Sequence, residues 1–232
     1  MTRAARALSG AALAACLAIT QAQAQSQPPD GPRYIATYVD VMPTAVSDGA
    51  ALVREFRDAS RKEAGNLRLE AAQRIGQPYQ FVILEAWQDQ AAFDAHETAA
   101  HTAAFRDKLK AIQGAPYDER VNHVLAVGPL PAALGGAAIL TVTHVDVVPP
   151  QKDMTSALLK QLVEDGRKDD GNLRFEATTQ AGRPNHFTVI AAWRDQKAVD
   201  GYAMNAKTRA FRDQLAPAAG ALYDERFYKA LD

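Results

Sequence analysis

Apolar and polar positions change their period several times along the chain, and the order of those changes occurs twice. Ile35, Thr37, Val39 and Val41 alternate with Tyr34, Ala36, Tyr38 and Asp40, the period-two pattern of a half-buried strand. Over 50–63 the period lengthens. Ala51, Leu52, Phe56 and Ala59 recur at helical spacing, Ser47 stands where an N-cap is expected, and Gly65 closes the run. Leu67, Leu69 and Ala71 alternate again, Gly76-Gln77-Pro78 reads as a turn, and 81–87 as a third strand. Asp89 is placed to cap a helical stretch that reaches Leu109 with a break near Thr98, and 117–127 reads as a last strand. The order β-α-β-β-α-β is that of the ferredoxin-like split unit, whose helices cover one sheet face and leave the other to be covered.

A shift of 106 residues brings Val39-Asp40-Val41 onto Val145-Asp146-Val147, Gly65-Asn66-Leu67-Arg68 onto Gly171-Asn172-Leu173-Arg174, and Trp87 onto Trp193. It also brings Phe105-Arg106-Asp107 onto Phe211-Arg212-Asp213 and Tyr117-Asp118-Glu119-Arg120 onto Tyr223-Asp224-Glu225-Arg226. No gap is needed from 37 to 121, and about two positions in five are identical, which marks an internal duplication. Two modules are expected, 34–128 and 139–232, joined by a Pro- and Gly-rich linker at 129–138 and preceded by another at 25–33. Each can cover the open sheet face of the other. The expected fold class is therefore α+β, with two tandem ferredoxin-like modules forming an intramolecular dimeric α+β barrel.

Composition narrows the partners. Lys+Arg 26 against Asp+Glu 27 leaves a net charge of −1 and no electrostatic reason to expect nucleic acid. Residues 1–24 have a short basic start, an apolar stretch (ALSGAALAACLAIT) and Ala22-Gln23-Ala24, the features of a secretory signal peptide. The expectation is a periplasmic or secreted protein with no permanent membrane span. Leu13-Ala14-Ala15-Cys16 also fits a lipobox, which would make Cys16 a lipidated N-terminus; cleavage after Ala24 instead leaves a chain with no cysteine and no thiol chemistry.

Candidate chemistry concentrates in the first module. Alternation puts Phe81, Ile83, Glu85 and Trp87 on one side of the third strand. A carboxyl among apolar side chains is pushed toward a raised pKa, the tuning a general base needs, although a Glu ion-paired at a strand end would fit the same pattern. His96 follows Ala92 and Phe93 at helical spacing, and His101 precedes Phe105 by one turn. The five-residue separation of His96 and His101 puts their rings on different sides of a helix, so no metal site is expected. Trp87 and Trp193 fit either core filling or stacking on a ligand. Tyr117-Asp118-Glu119-Arg120 fits a contact between the modules. In the second module Ala191, Tyr202 and Lys207 stand in place of Glu85, His96 and His101, so its pocket is expected to be degenerate.

The run G-N-L-R-L-E, followed by G-Q-P-Y-Q-F-V-I-L-E-A-W-Q-D-Q-A-A-F-D-A-H-E-T-A-A-H, resembles the antibiotic biosynthesis monooxygenase family, which includes small quinol monooxygenases. The resemblance implies a dimeric barrel that oxidises phenols or quinols with molecular oxygen and neither metal nor flavin. It implies catalytic roles for Glu85, Trp87, His96 and His101, with Trp193 the matching residue kept in the second module. Phe81, Ile83, Phe93 and Asn66 are the further residues expected at the substrate, although Gly65-Asn66 also fits a helix-ending turn. The haem-degrading branch uses an Asn on the first strand and a late helical His; Asp40 and Arg106 stand near those places, so haem degradation is not expected. Barrels of this kind also act as isomerases or as binding proteins without turnover, and both remain alternatives. The expected state is a pseudo-dimer within one chain, alone or paired.

Overall fold

A computed structural model describes residues 31–129, 134 and 136–231. The expected signal peptide at 1–24 with Cys16, most of the expected lead-in and part of the expected linker lie outside the described residues. The first module runs β1 (Arg33–Asp40), α1 (Val46–Ser60), β2 (Asn66–Arg74), β3 (Gln80–Trp87), α2 (Gln90–Glu97), α3 (Ala100–Lys110) and β4 (Asp118–Ala126). The second repeats it as β5 (Ile139–Asp146), α4 (Lys152–Gly166), β6 (Asn172–Gln180), β7 (His186–Trp193), α5 (Gln196–Met204), α6 (Ala206–Leu215) and β8 (Asp224–Ala230).

Local chemistry explains most boundaries. Gly65 and Gly171 adopt φ of 81° and 78° after their helices, a backbone state that favours glycine. The Asp89 carboxylate accepts the Ala92 N–H at 2.8 Å and starts α2. Thr98 and Ala99 then separate α2 from α3, as the pattern predicts. Ser47 does not act as an N-cap. A 3₁₀ turn, Pro43–Ala45, feeds directly into α1 at Val46, and Ala45 occupies the cap position with no side-chain bond.

The eight strands close into one barrel in the order β1-β3-β2-β8-β5-β7-β6-β4. Within each module the strands pair antiparallel; between modules β2 pairs with β8 and β4 with β6, so the sheet edges are used up in the joint. Alternation sorts the side chains into three cores. Ile35, Val39, Phe81, Ile83 and Trp87 meet α1, α2 and α3, while Ala36, Tyr38, Val82 and Leu84 point into the barrel and pack on Leu140, Val142, Ile190 and Tyr228 of the other module. The third core is the helix-covered side of the second module, around Leu159, Phe175, Phe187 and Trp193. Burying each large apolar side chain contributes about 1.5–3 kcal/mol, which is why a module with one uncovered face needs its partner.

The joint also carries charge. Arg68 donates both terminal nitrogens to Glu176 at 3.0 and 2.9 Å, and Arg174 lies 2.7 Å from Glu70. Both pairs use the same two positions of the repeat, once in each direction across the barrel. Arg174 and Glu176 are buried, so removing one partner would strand a charge away from water.

Candidate active site

The helix-covered side of the first module holds the titratable groups. Glu85 lies on β3 with its side chain beneath α2, 3% exposed, where it accepts the Trp87 indole N–H at 2.9 Å. Its Oε2 is 3.4 Å from Nε2 of the buried His96. Burial pushes the Glu85 pKa up to about 8; the Trp87 bond works against this, and the carboxylates of Glu119, Glu97 and Glu63 add to it. The carboxyl group is therefore largely protonated at neutral pH.

His96 lies between two carboxyl groups. Its Nδ1 is 2.6 Å from Glu63 Oε1, its ring stacks on Trp87 with centroids 4.5 Å apart, and Phe56 covers its edge. Burial lowers its pKa, opposed by the Glu63 bond. A neutral ring that donates Nδ1–H to Glu63 leaves Nε2 with a free lone pair toward Glu85. His101 Nε2 reaches the same Glu63 oxygen at 3.0 Å and Ser60 Oγ at 3.2 Å. The expected divergence of the two histidines is thus corrected: the break at Thr98 and Ala99 turns α3 back, and the rings stand 5.8 Å apart.

A second layer supplies the surrounding charge. Arg106 bonds Glu97 at 2.7 and 2.8 Å and Glu119 at 3.0 Å, and the Tyr117 hydroxyl donates to Glu119 at 3.1 Å. Tyr117 and Glu119 therefore serve their own module, whereas Arg120 does make the expected contact between modules, reaching His144 at 3.2 Å and lying over the Tyr38 ring. Sequence reasoning missed Glu63, Glu97 and Glu119. A usable signal existed for two of them, since Glu63 and Glu97 become Asp169 and Ala203 in the same module that loses both histidines.

The other expected pocket residues are dispersed. Phe81, Ile83 and Phe93 fill the core under the helices and are almost fully buried, so they support Glu85 and Trp87 without forming an open pocket. Asn66 lines a different cavity of about 550 Å³ at the barrel side, together with Arg57, Arg61, Arg68 and Leu140. Trp193 belongs to the second module's core, packed on Phe175 and Tyr202. A groove of about 90 Å³ lined by Phe56, His101 and Phe105 opens on the outer side of the histidine pair. A further cavity of about 450 Å³ lies in the second module, against Tyr223 and Glu225.

Two α+β modules in one chain, closed edge to edge into an eight-stranded barrel with helices outside, define a fused dimeric α+β barrel. The chain belongs to the antibiotic biosynthesis monooxygenase family, whose sequence pattern matches it twice, over residues 32–108 and 138–214. A protein of Bacillus subtilis (strain 168), provisionally named monooxygenase YcnE, is 31% identical over 84 residues, which is 36% of this chain and 88% of that protein. One module thus corresponds to nearly the whole relative. A solved structure from Fusobacterium nucleatum, provisionally described as a monooxygenase, matches with a TM-score of 0.79 at 16% identity over 87% of this chain and 93% of that one. Another so described, from Lactobacillus acidophilus NCFM, matches at 0.71 and 13% identity over 87% and 95%. Both matches span the two modules and establish the shared fold. No helix among the described residues is long and apolar enough to cross a membrane.

Proposed function

We propose that the chain is a monooxygenase that oxidises an electron-rich phenol or quinol with molecular oxygen, using the first module and no bound cofactor. The observation that carries this reading is the buried pair of Glu85 and His96, a carboxyl group with a pKa raised to about 8 beside an imidazole held neutral, with Trp87 stacked on the imidazole. A phenol hydroxyl placed between them can give its proton to His96 Nε2 while the Glu85 carboxyl group donates to the resulting oxyanion. The anion transfers an electron to oxygen, the two radicals combine, and loss of water from the peroxide leaves a quinone. One oxygen atom ends in the product and the other in water. Because Glu85 is buried, this reading requires α2 to move outward to admit the ring, and the two non-helical residues Thr98 and Ala99 after it are where such a motion would hinge. Export from the cytoplasm is part of the same proposal.

Oxygen uptake with menadiol-type and catechol-type substrates tests it. Uptake above the autoxidation blank is expected from the wild type, falling by about 10²-fold or more in Glu85→Ala/His96→Ala, the range general acid–base groups supply. No uptake across the panel would overturn the reading. One observation favours a second reading, a barrel that binds an aromatic ligand without turnover: the cavities of about 550 and 450 Å³ both lie away from Glu85. Saturable quinol binding with no oxygen consumed would establish it.

A further inference from the structure

We infer that Glu63, His96 and His101 form a binding site for one divalent transition-metal ion of the zinc class. Three ligand atoms, a carboxylate oxygen and one nitrogen from each histidine, lie within 4.8 Å of one another. Both nitrogens point at one oxygen, at 2.6 and 3.0 Å, so two ring protons and a carboxylate share a single small volume. Ligands about 2.0–2.2 Å from a tetrahedral ion stand about 3.4 Å apart. Widening the two oxygen–nitrogen separations by less than about 1 Å would therefore bring them to the spacing of a coordination shell. Two imidazoles and one carboxylate are also the donor set that zinc accepts while keeping a fourth position for solvent.

Three further features point the same way. The nitrogen of His96 turned away from Glu63 faces the Glu85 carboxyl group at 3.4 Å, and Glu85 is itself held by Trp87. A carboxyl group behind a ligating histidine is the usual outer contact that fixes its tautomer. The side chains of Glu63 and His101 are 20% and 29% exposed while that of His96 is 2% exposed, so the cluster is closed behind and open to solvent in front. In the second module Asp169, Tyr202 and Lys207 occupy the matching positions. There both imidazoles are gone and the Lys207 ammonium, 2.8 Å from Asp165, brings a cation of its own.

The site is independent of the oxidation proposed above. Where both hold, metal bound at Nδ1 moves the remaining ring proton of His96 to Nε2, facing Glu85, and removes the lone pair that would take a substrate proton. The metal then acts as a modulator of the pocket.

The test is a Co²⁺ titration of the chelator-stripped full chain, free of any affinity tag, read by the visible ligand-field absorption of the ion and by competition with Zn²⁺. One equivalent is expected, weakened by at least about 100-fold in His101→Ala and in Glu63→Gln and unchanged in Lys207→Ala. His101→Cys is expected to retain binding and add a sulfur-to-cobalt charge-transfer band, which separates lost ligation from lost folding. Absence of the band in the wild type, or a band that survives in both His101→Ala and Glu63→Gln, would overturn the proposal and leave the cluster a shared-proton contact.

Discussion

The two modules place the same aromatic frame in the same geometry and put different chemistry on it. In the first, Trp87 stacks on His96 at 4.5 Å and 28°; in the second, Trp193 stacks on Tyr202 at 4.7 Å and 32°. Around the first pair stand Glu85, Glu63 and His101, and around the second Ala191, Asp169 and Lys207. At the joint, by contrast, both copies keep the same Arg and Glu, because each supplies half of the other's ion pairing. The difference teaches that closing the barrel binds both copies to strands, turns and joint residues, whereas one set of titratable groups is enough for one pocket.

The largest expected effect tests whether Glu85 burdens the fold in a way Ala191 does not. The folded protein holds a proton on Glu85 up to about pH 8, while the unfolded chain releases it near the ordinary value of 4.5. Folded molecules then bind more protons than unfolded ones between these values, so stability from this group falls as pH rises through that window. Glu85→Gln keeps the shape and removes the proton. Its stability relative to wild type should rise by several kcal/mol between pH 5 and pH 9, measured by urea unfolding. Parallel pH profiles for the two proteins would show that Glu85 titrates normally and has no special role.

A smaller effect concerns how each copy packs beneath the stack. Ser60 is buried in the first module, where its hydroxyl donates to the Phe56 carbonyl at 2.9 Å, and the position matching Phe175 is Leu69. The second module has Gly166 in place of Ser60, and a Cβ there would overlap the Phe175 ring. Gly166→Ser should cost about 1–3 kcal/mol, and adding Phe175→Leu should recover most of it. Additive losses in the double-mutant cycle would mean that the two exchanges arose for unrelated reasons.

Much of this comparison is legible in the sequence because it depends on period and offset. The alternation over 81–87 puts Glu85 and Trp87 under the helices, and the repeat shows which groups the second copy lacks. The convergence of His101 on His96 was not legible. It depends on the direction α3 takes after two non-helical residues, which spacing alone does not encode. Glu63 was missed for a related reason: the periodic pattern carries the helix to 63, but α1 ends at Ser60 and Glu63 sits in the turn beyond it, so helical spacing gave its direction wrongly. Asn66 lines the cavity of about 550 Å³ away from Glu85, and the register irregularity between Asn66 and Arg68 interrupts the alternation from which its side would be read.

The smallest prediction isolates the hydrogen bond that distinguishes the two tryptophans. Both rings are fully buried and both stack on an aromatic neighbour, but Trp87 Nε1 donates to Glu85, while Trp193 Nε1 meets no hydrogen-bond acceptor among the described residues. Replacing either with Phe removes the same atoms and leaves a similar void, so the difference between the two losses reports the bond. Trp87→Phe should cost about 1 kcal/mol more than Trp193→Phe at pH 6, where Glu85 is a neutral acceptor. By pH 9 the acceptor is a carboxylate, and the gap should widen toward about 2 kcal/mol, because bonds to charged groups are stronger. Equal losses at both pH values would mean that the indole N–H contributes nothing in either module, and that Trp87 is retained for its ring alone.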